Sequence, residues 1–294
     1  MDSAGANATN CPNPKHGHCS KNVHNILMDM GQDELKSDFV GDLFPRDSGH
    51  YPEFDTKAKC IQYLQEYVPL HLAQITYVLK KIINGAYFNK YNNVNVLDLA
   101  GGPATVPLAI SRILDNDPSI KRCFDITIVE KAHEFNVMHD IFRGNNHNRQ
   151  VTLKSCEIDF YDKGLVDIIK KNNPSYQWII LSNALVPLLG INLDNKDRFN
   201  LRINQLFQVF KAPAFLLTLI EGGTISRAHR NYMDSICETN YALYMPEKAV
   251  AKIGPNEPID SPWLLNCKKH GIYRTACDCC RPNVNSRYVI FKRH

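Results

Sequence analysis

Between residues 94 and 223, short apolar runs alternate with amphipathic stretches, and this alternation constrains the fold more than any other feature of the chain. The runs "VNVLDLA", "FDITIVE", "VTLKSCEID", "YQWIILSNAL" and "AFLLTLIEGG" read as strands. The stretches "TVPLAISRILD", "KAHEFNVMHDIF", "GLVDIIKKN" and "KDRFNLRINQLFQVF" between them read as helices. Strands that are apolar nearly throughout have no face for water, so the sheet they form is covered on both sides. The expected fold is a doubly wound, mostly parallel α/β sheet. A length of 294 residues with 44% hydrophobic side chains supports one large domain of this kind with extensions. Residues 1–60 read as an irregular arm with a short helix, 61–250 as the α/β domain, and 251–294 as a Cys-rich basic insertion ending in a strand of the same sheet, "SRYVIFKR". "YALYMP" reads as a further strand. Upstream of the first strand, Val68, Leu72, Ile75, Leu79 and Ile82 fall on one helical face, and the helix ends at Asn84 and Gly85.

The turn after the first strand, "LDLAGGPAT", places Ala100, Gly101 and Gly102 before a helix whose Pro107 is tolerated in its first turn. In an open parallel sheet such a turn faces the ligand, and glycine there permits close approach or positive φ. The spacing is neither G-x-G-x-x-G nor a phosphate-cradling G-x-x-x-x-G-K-[ST], which disfavours a dinucleotide or a nucleotide phosphate chain. Asp98 in the turn is placed to accept from an ammonium group or to hold the loop, and would repel a pyrophosphate. Glu130 closes the second strand, where an acid accepts the hydroxyls of a ribose, and Asp159 follows the third, within reach of an adenine amino group with Phe160 packing on the ring. An amine-bearing nucleoside without phosphate meets these demands, and S-adenosylmethionine is such a ligand. Each acid, taken singly, reads equally well as a helix cap.

On these residues the chain resembles the class I methyltransferases over about residues 60–225. The resemblance implies a Rossmann-like methyltransferase fold and puts Asp98, Gly102, Glu130 and Asp159 on cofactor positions. Ala100 and Ala104 stand where that family usually has glycine, and their methyl groups are expected to narrow the room for the cofactor. More narrowly, Pro69 in the upstream helix, the run Glu221, Gly222, Gly223 and Thr224, and Arg230 are similar to the methyltransferase-like assembly factors of the small ribosomal subunit. That family carries a cysteine cluster for an iron-sulfur centre; here the cysteines fall later, without its proline brackets.

Ten cysteines in a chain whose first residues lack the apolar core of a secretion signal suggest thiols or metal ligands in an intracellular, cytoplasmic protein. Cys267-x-x-His270 and Cys277-x-x-Cys280 form two chelating pairs suited to tetrahedral zinc, or to an iron-sulfur cluster. Cys11, His16, His18 and Cys19 form a second candidate group. Cys60, Cys123, Cys156 and Cys237 sit in apolar patterns and read as buried small hydrophobes. No apolar run approaches the roughly 20 residues of a membrane span. The net charge is only +4, yet residues 267–294 hold seven Lys and Arg against Asp278 alone. A local basic segment attracts RNA or a ribosomal subunit within a Debye length of ~10 Å. It reads equally well as a solvated face.

The end of the fourth strand supplies Ser182, toward the cofactor, and Asn183, toward a methyl acceptor or capping the next turn. Glu221 is the nearby carboxylate suited to a general base. Three functions follow: a methyltransferase for RNA or a ribonucleoprotein, one for a small molecule or protein, and a non-catalytic binding factor that keeps the fold.

Overall fold

The computed structural model describes residues 54–172, 175–210, 216–222, 225–236, 249–253 and 284–292. Within them lie strands β1 (Asn93–Leu99), β2 (Cys123–Glu130), β3 (Val151–Glu157), β4 (Trp178–Ser182), β5 (Leu216–Gly222), β6 (Ala249–Ile253) and β7 (Val284–Lys292). They form one sheet in the order β3-β2-β1-β4-β5-β7-β6. Strands β1 to β5 run parallel, and β7 pairs antiparallel with both β5 and β6. This is the expected doubly wound α/β class. One detail differs from the sequence reading, the strand β6, while "YALYMP" lies outside the described residues.

The helices are α1 (Lys57–Glu66), α2 (Val68–Asn84), α3 (Thr105–Asn116), α4 (His133–Asn145), α5 (Leu165–Asn172), α6 (Leu185–Leu189), α7 (Lys196–Val209) and α8 (Arg227–Ser235). Alternate strand residues feed two cores, as period-two strands require. Val94, Val96, Ile126, Ile128 and Ile180 join the apolar sides of α1 to α4. Leu97, Leu99, Val129, Ile179 and Leu181 join those of α5 to α8. The helices change face between β3 and β4, so the switch point of the sheet lies between β1 and β4, where a ligand crevice is expected.

The central helix α3 is buried at every position from Thr105 to Leu114, including Ser111 and Arg112, because α2 covers it from outside. Helix α1 is capped by the Thr56 hydroxyl, which accepts from the Lys59 amide at 3.4 Å. Its junction with α2 keeps helical hydrogen bonds, Tyr67 donating to the Tyr63 carbonyl and His71 to the Tyr67 carbonyl, each at 2.9 Å. Side chains four apart therefore stay on one face across the bend. Among the described residues, no helix is long and apolar enough to cross a membrane.

A short 3-10 turn at Ala86–Phe88 inserts Phe88 beneath the sheet, its ring 5.1 Å from that of Trp178 and edge-on to Tyr87. Phe88→Ala should lower the unfolding free energy by about 3–5 kcal/mol in urea denaturation, whereas Leu201→Ala, on the exposed side of α7, should stay within about 0.5 kcal/mol.

Candidate functional site

Strand β1 ends in a loop of alternating handedness: φ is +53° at Ala100, +57° at Gly102 and +64° at Ala104. Left-handed backbone costs a non-glycine residue roughly 1–2 kcal/mol, so the two alanines hold strain that glycine at either place would release. Only Ala100 borders the cavity; the Ala104 methyl is fully buried in the core. The expected narrowing of the ligand's room thus applies to Ala100 and not to Ala104. The two glycines serve different ends. A Cβ at Gly101 would collide with Asp98 Oδ2 and lie 2.9 Å from Ile128 Cγ2, so the close approach there is to the chain's own strands. At Gly102 a Cβ would meet nothing within 4 Å, and the residue borders the cavity.

The loop amides are already engaged. Gly101 N–H donates to the Val129 carbonyl at 3.2 Å, extending the β1–β2 ladder. Gly102 N–H donates to Glu130 Oε2 at 3.0 Å, while Ala132 N–H donates to Oε1 at 2.8 Å. Burial pushes the Glu130 carboxyl above its ordinary range, and these amide bonds oppose the shift. From the other side, His139 Nε2 lies 2.7 Å from the Gly102 carbonyl and Nδ1 lies 2.8 Å from Ser155 Oγ, which also receives Arg143. A carbonyl only accepts, so the proton sits on Nε2 and the serine hydroxyl donates to Nδ1. Burial lowers His139 to about 4, keeping it neutral in this role.

Asp98 is fully buried, and neither of its oxygens has a hydrogen-bond partner. Burial, reinforced by the nearby Glu130 carboxylate, pushes it well above the usual carboxylate range. It lies under Gly101 and does not border the cavity.

The cavity, about 270 Å³, opens at the switch point between the β1 and β4 tips. The loop residues Ala100, Gly101 and Gly102 border it, as do Glu130, Asp159, Phe160, Ser182 and Asn183. Asp159 Oδ1 accepts from the Tyr161 amide at 2.6 Å, and Oδ2 lies 3.8 Å from Lys131 Nζ. Phe160 stacks on Phe199, with centroids 5.5 Å apart, and turns one edge of the second core toward the cavity. Asn183 has φ +53°, and its amide Nδ2 is buried without a partner. It does not cap α6: Glu221 Oε1 accepts from the Leu185 amide at 2.6 Å instead. Glu221 itself does not border the cavity, and burial raises its carboxyl to about 8.

The wall facing the loop comes from Ile75, read from the sequence only as part of a helical apolar face, and from rings that the sequence does not mark as site residues. Phe54, Tyr63, His71 and Ile75 border the cavity beside Phe135. The rings of Phe54 and Tyr63 pack 4.9 Å apart and those of Phe54 and Phe135 4.8 Å apart. Tyr63 Oη lies 2.9 Å from His71 Nδ1. Burial pushes Tyr63 up and His71 down to about 4. The available signal was the recurrence of rings at steps of four, Tyr63, Tyr67 and His71.

Cys267, His270, Cys277 and Cys280 lie outside the described residues, as do Cys11, His16, His18, Cys19 and Cys237. Among the described residues, no group of three or more His, Cys, Asp or Glu is arranged to hold a metal ion. Cys60 is buried, as its pattern suggested, whereas Cys123 is exposed at the start of β2 and Cys156 is half-buried.

No protein-family model matches the chain, and no curated protein matches it. Solved structures similar to it include precorrin-6y C5,15-methyltransferase from Geobacter metallireducens GS-15, with TM-score 0.41 and 13% identity over 74% of this chain and 87% of that one. A SAM-dependent methyltransferase from Aquifex aeolicus gives TM-score 0.43 and 11% identity over 80% and 98% of the two chains. Magnesium protoporphyrin IX methyltransferase from Synechocystis PCC 6803, with bound SAM, gives TM-score 0.43 and 10% identity over 92% and 95%.

Two tests follow from the loop. Ala100→Gly should raise thermal stability by up to about 1 kcal/mol, strain relief being partly offset by unfolded-state entropy. Gly101→Ala should cost about 1–3 kcal/mol and, combined with Asp98→Ala, less than the sum of the single variants. For His139, a folded value of about 4 below its ordinary 6.5 means that the unfolded chain binds the proton first. Its contribution to stability is therefore complete above about 6.5 and is lost as pH falls toward 4, on the order of 3 kcal/mol in all. The buried acids Glu221 and Asp98, raised above their ordinary range, titrate with the opposite sign, so the readout is the difference: the unfolding free energy of wild type minus that of His139→Gln, from urea denaturation, should shrink as pH falls through that window.

Proposed function

We propose that the chain is an S-adenosylmethionine-dependent methyltransferase whose acceptor is RNA or a ribonucleoprotein. The observation that carries the cofactor reading is the Gly102 amide donating to Glu130. A phosphate site needs loop N–H groups free to point at the anion; here a carboxylate already takes that position, and a phosphate would meet negative charge. A second acid, Asp159, borders the same cavity, and the unpartnered Asp98 carboxyl lies beneath its floor. This set of carboxyl acceptors fits a cationic nucleoside, and when bound that cofactor supplies an electrophilic methyl group on a sulfonium.

Each of the chain's own residues then has a task. Glu130 has lone pairs left over from its two amide bonds with which to accept ribose hydroxyls. Asp159 accepts from an exocyclic amine, and Phe160 forms a flat apolar wall. A cation above the loop draws the raised Asp98 carboxyl toward its ionised form, so binding of a charged ligand is coupled to loss of that proton. Ser182 borders the cofactor half, and the free amide of Asn183 orients the acceptor. Glu221, off the cavity, is better suited to holding the turn that carries Asn183 than to taking a proton from substrate.

The RNA assignment is supported by the basic segment 267–294, most of which lies outside the described residues. The chelating pairs there are expected to carry one zinc ion or an iron-sulfur cluster, so elemental analysis finding neither removes that site. A second reading, a non-catalytic binding factor, is favoured by the strained alanines at left-handed positions of the loop. It predicts cofactor binding without turnover on any acceptor.

Calorimetry with S-adenosylhomocysteine should give single-site micromolar binding, weakened roughly tenfold or more in Glu130→Gln, while ATP and NAD give no heat. Tighter binding of ATP or NAD would remove the methyltransferase reading. For RNA, exchanging Lys268, Lys269 and Arg274 for Ser should flatten the dependence of log K on log salt by about 0.7 for each phosphate that is no longer neutralised. An unchanged slope would argue for the protein or small-molecule alternative.

A further inference from the structure

The tips of β1, β2 and β3 are poor in hydrogen-bond donors for an anion, and the donors on the β4 side, Ser182 and the Asn183 amide, are those assigned above to the cofactor half and the acceptor. Glu130 and Asp159 are acids, Lys131 leans toward Asp159 with its Nζ 3.8 Å from Oδ2, and the amides of Gly101 and Gly102 donate to Val129 and Glu130. The facing wall is different. There the Tyr63 hydroxyl lies 2.9 Å from His71 Nδ1, both residues border the cavity, and the second ring nitrogen of His71 has no hydrogen-bond partner among the described residues. An imidazole fixed at one nitrogen by a phenol presents the other in a set direction.

Resting on the cofactor reading above, we propose that the Tyr63–His71 pair anchors the carboxylate of an amino-acid-bearing nucleoside. His71 thereby makes the cavity select that ligand over the same nucleoside lacking its amino-acid end. Burial keeps the Tyr63 proton in place, and in the tautomer that binds the carboxylate its hydroxyl donates to Nδ1 while the ring proton resides on Nε2, facing the ligand. His71 is neutral, its own value lowered by burial, so it offers the carboxylate a hydrogen bond without adding a positive charge that would repel a sulfonium. The acids of the strand tips receive the cationic and hydroxyl-bearing parts of the ligand, and the helical wall receives its one anionic part.

The test compares two probes by calorimetry: S-adenosylhomocysteine, and 5′-deoxy-5′-methylthioadenosine, which keeps the nucleoside and sulfur but lacks the amino-acid carboxylate. Wild-type protein should prefer the first. His71→Ala should weaken the first roughly tenfold or more and the second by no more than about twofold, since a hydrogen bond to a charged group is lost for one ligand only. Tyr63→Phe, which keeps the ring packing, should weaken the first alone by roughly threefold. His71→Gln, which restores a neutral N–H donor, should recover part of the loss. As a readout independent of affinity, the His71 imidazole ¹⁵N resonances should move on adding the first probe and stay in place with the second. Equal weakening of both probes by His71→Ala, or an unchanged preference, overturns the anchor while leaving the cofactor reading intact. Failure of both probes to bind wild-type protein removes the cofactor reading, and the anchor with it.

Discussion

The candidate site depends on one hydrogen bond, from the Gly102 amide to the Glu130 carboxylate. It joins the turn after β1 to the end of β2 and, with the second oxygen receiving Ala132, makes one side chain the clamp between two strand-to-helix connections. An amide–carboxylate bond is charge-assisted and, in a buried place, is electrostatically stronger than in water. His139 holds the same glycine from its carbonyl side. Gly102 is thus gripped at both ends of its peptide links while keeping a left-handed φ and an open face, and this combination leaves the cavity floor both rigid and unobstructed.

That clamp also fixes the electrostatics. Two acids, Asp98 and Glu130, sit close enough in a buried environment for the second to raise the first, and the lower one has no partner at all. Burying an unpaired carboxyl is costly, and folds retain such a group where something else is gained. A cation above Gly101 would stabilise the ionised form of Asp98, whereas an anion would oppose it. The same geometry therefore turns phosphate away through the occupied Gly102 amide, and a cation gains in addition from the ionisation of Asp98 that it favours.

The sheet was legible because parallel strands buried on both faces leave little room for polar residues: Val94 and Val96 enter one core and Leu97 and Leu99 the other, and the run reads as apolar throughout. The acids of the site were legible as residues out of place at strand ends. Their tasks were less so. Glu221 reads like Glu130, an acid closing a strand, yet it holds the Leu185 amide and stays off the cavity, because that depends on how the chain turns after β4. Ala100 and Ala104 read as added bulk, whereas the structure makes Ala104 a matter of backbone conformation, which composition does not reveal. Tyr63 and His71 escaped notice for a different reason. Polar positions on an amphipathic helix read as solvent-facing, and only the placement of α1 and α2 over the switch point turns them inward.

The strand tips and their loop are set by pairings within the sheet, Asp98 lying between Ile128 and Ile180 in the ladder, and they have little freedom to change without disturbing the core. Helices α1 and α2 share no strand pairing with that framework and meet it largely through side chains, and the continuous hydrogen bonds through Tyr67 let them act as one bent wall. Substitutions at Tyr63 or His71 alter the wall without altering the floor. A general preference for a cationic nucleoside therefore resides in the sheet, while discrimination among such ligands resides in the helices laid across it.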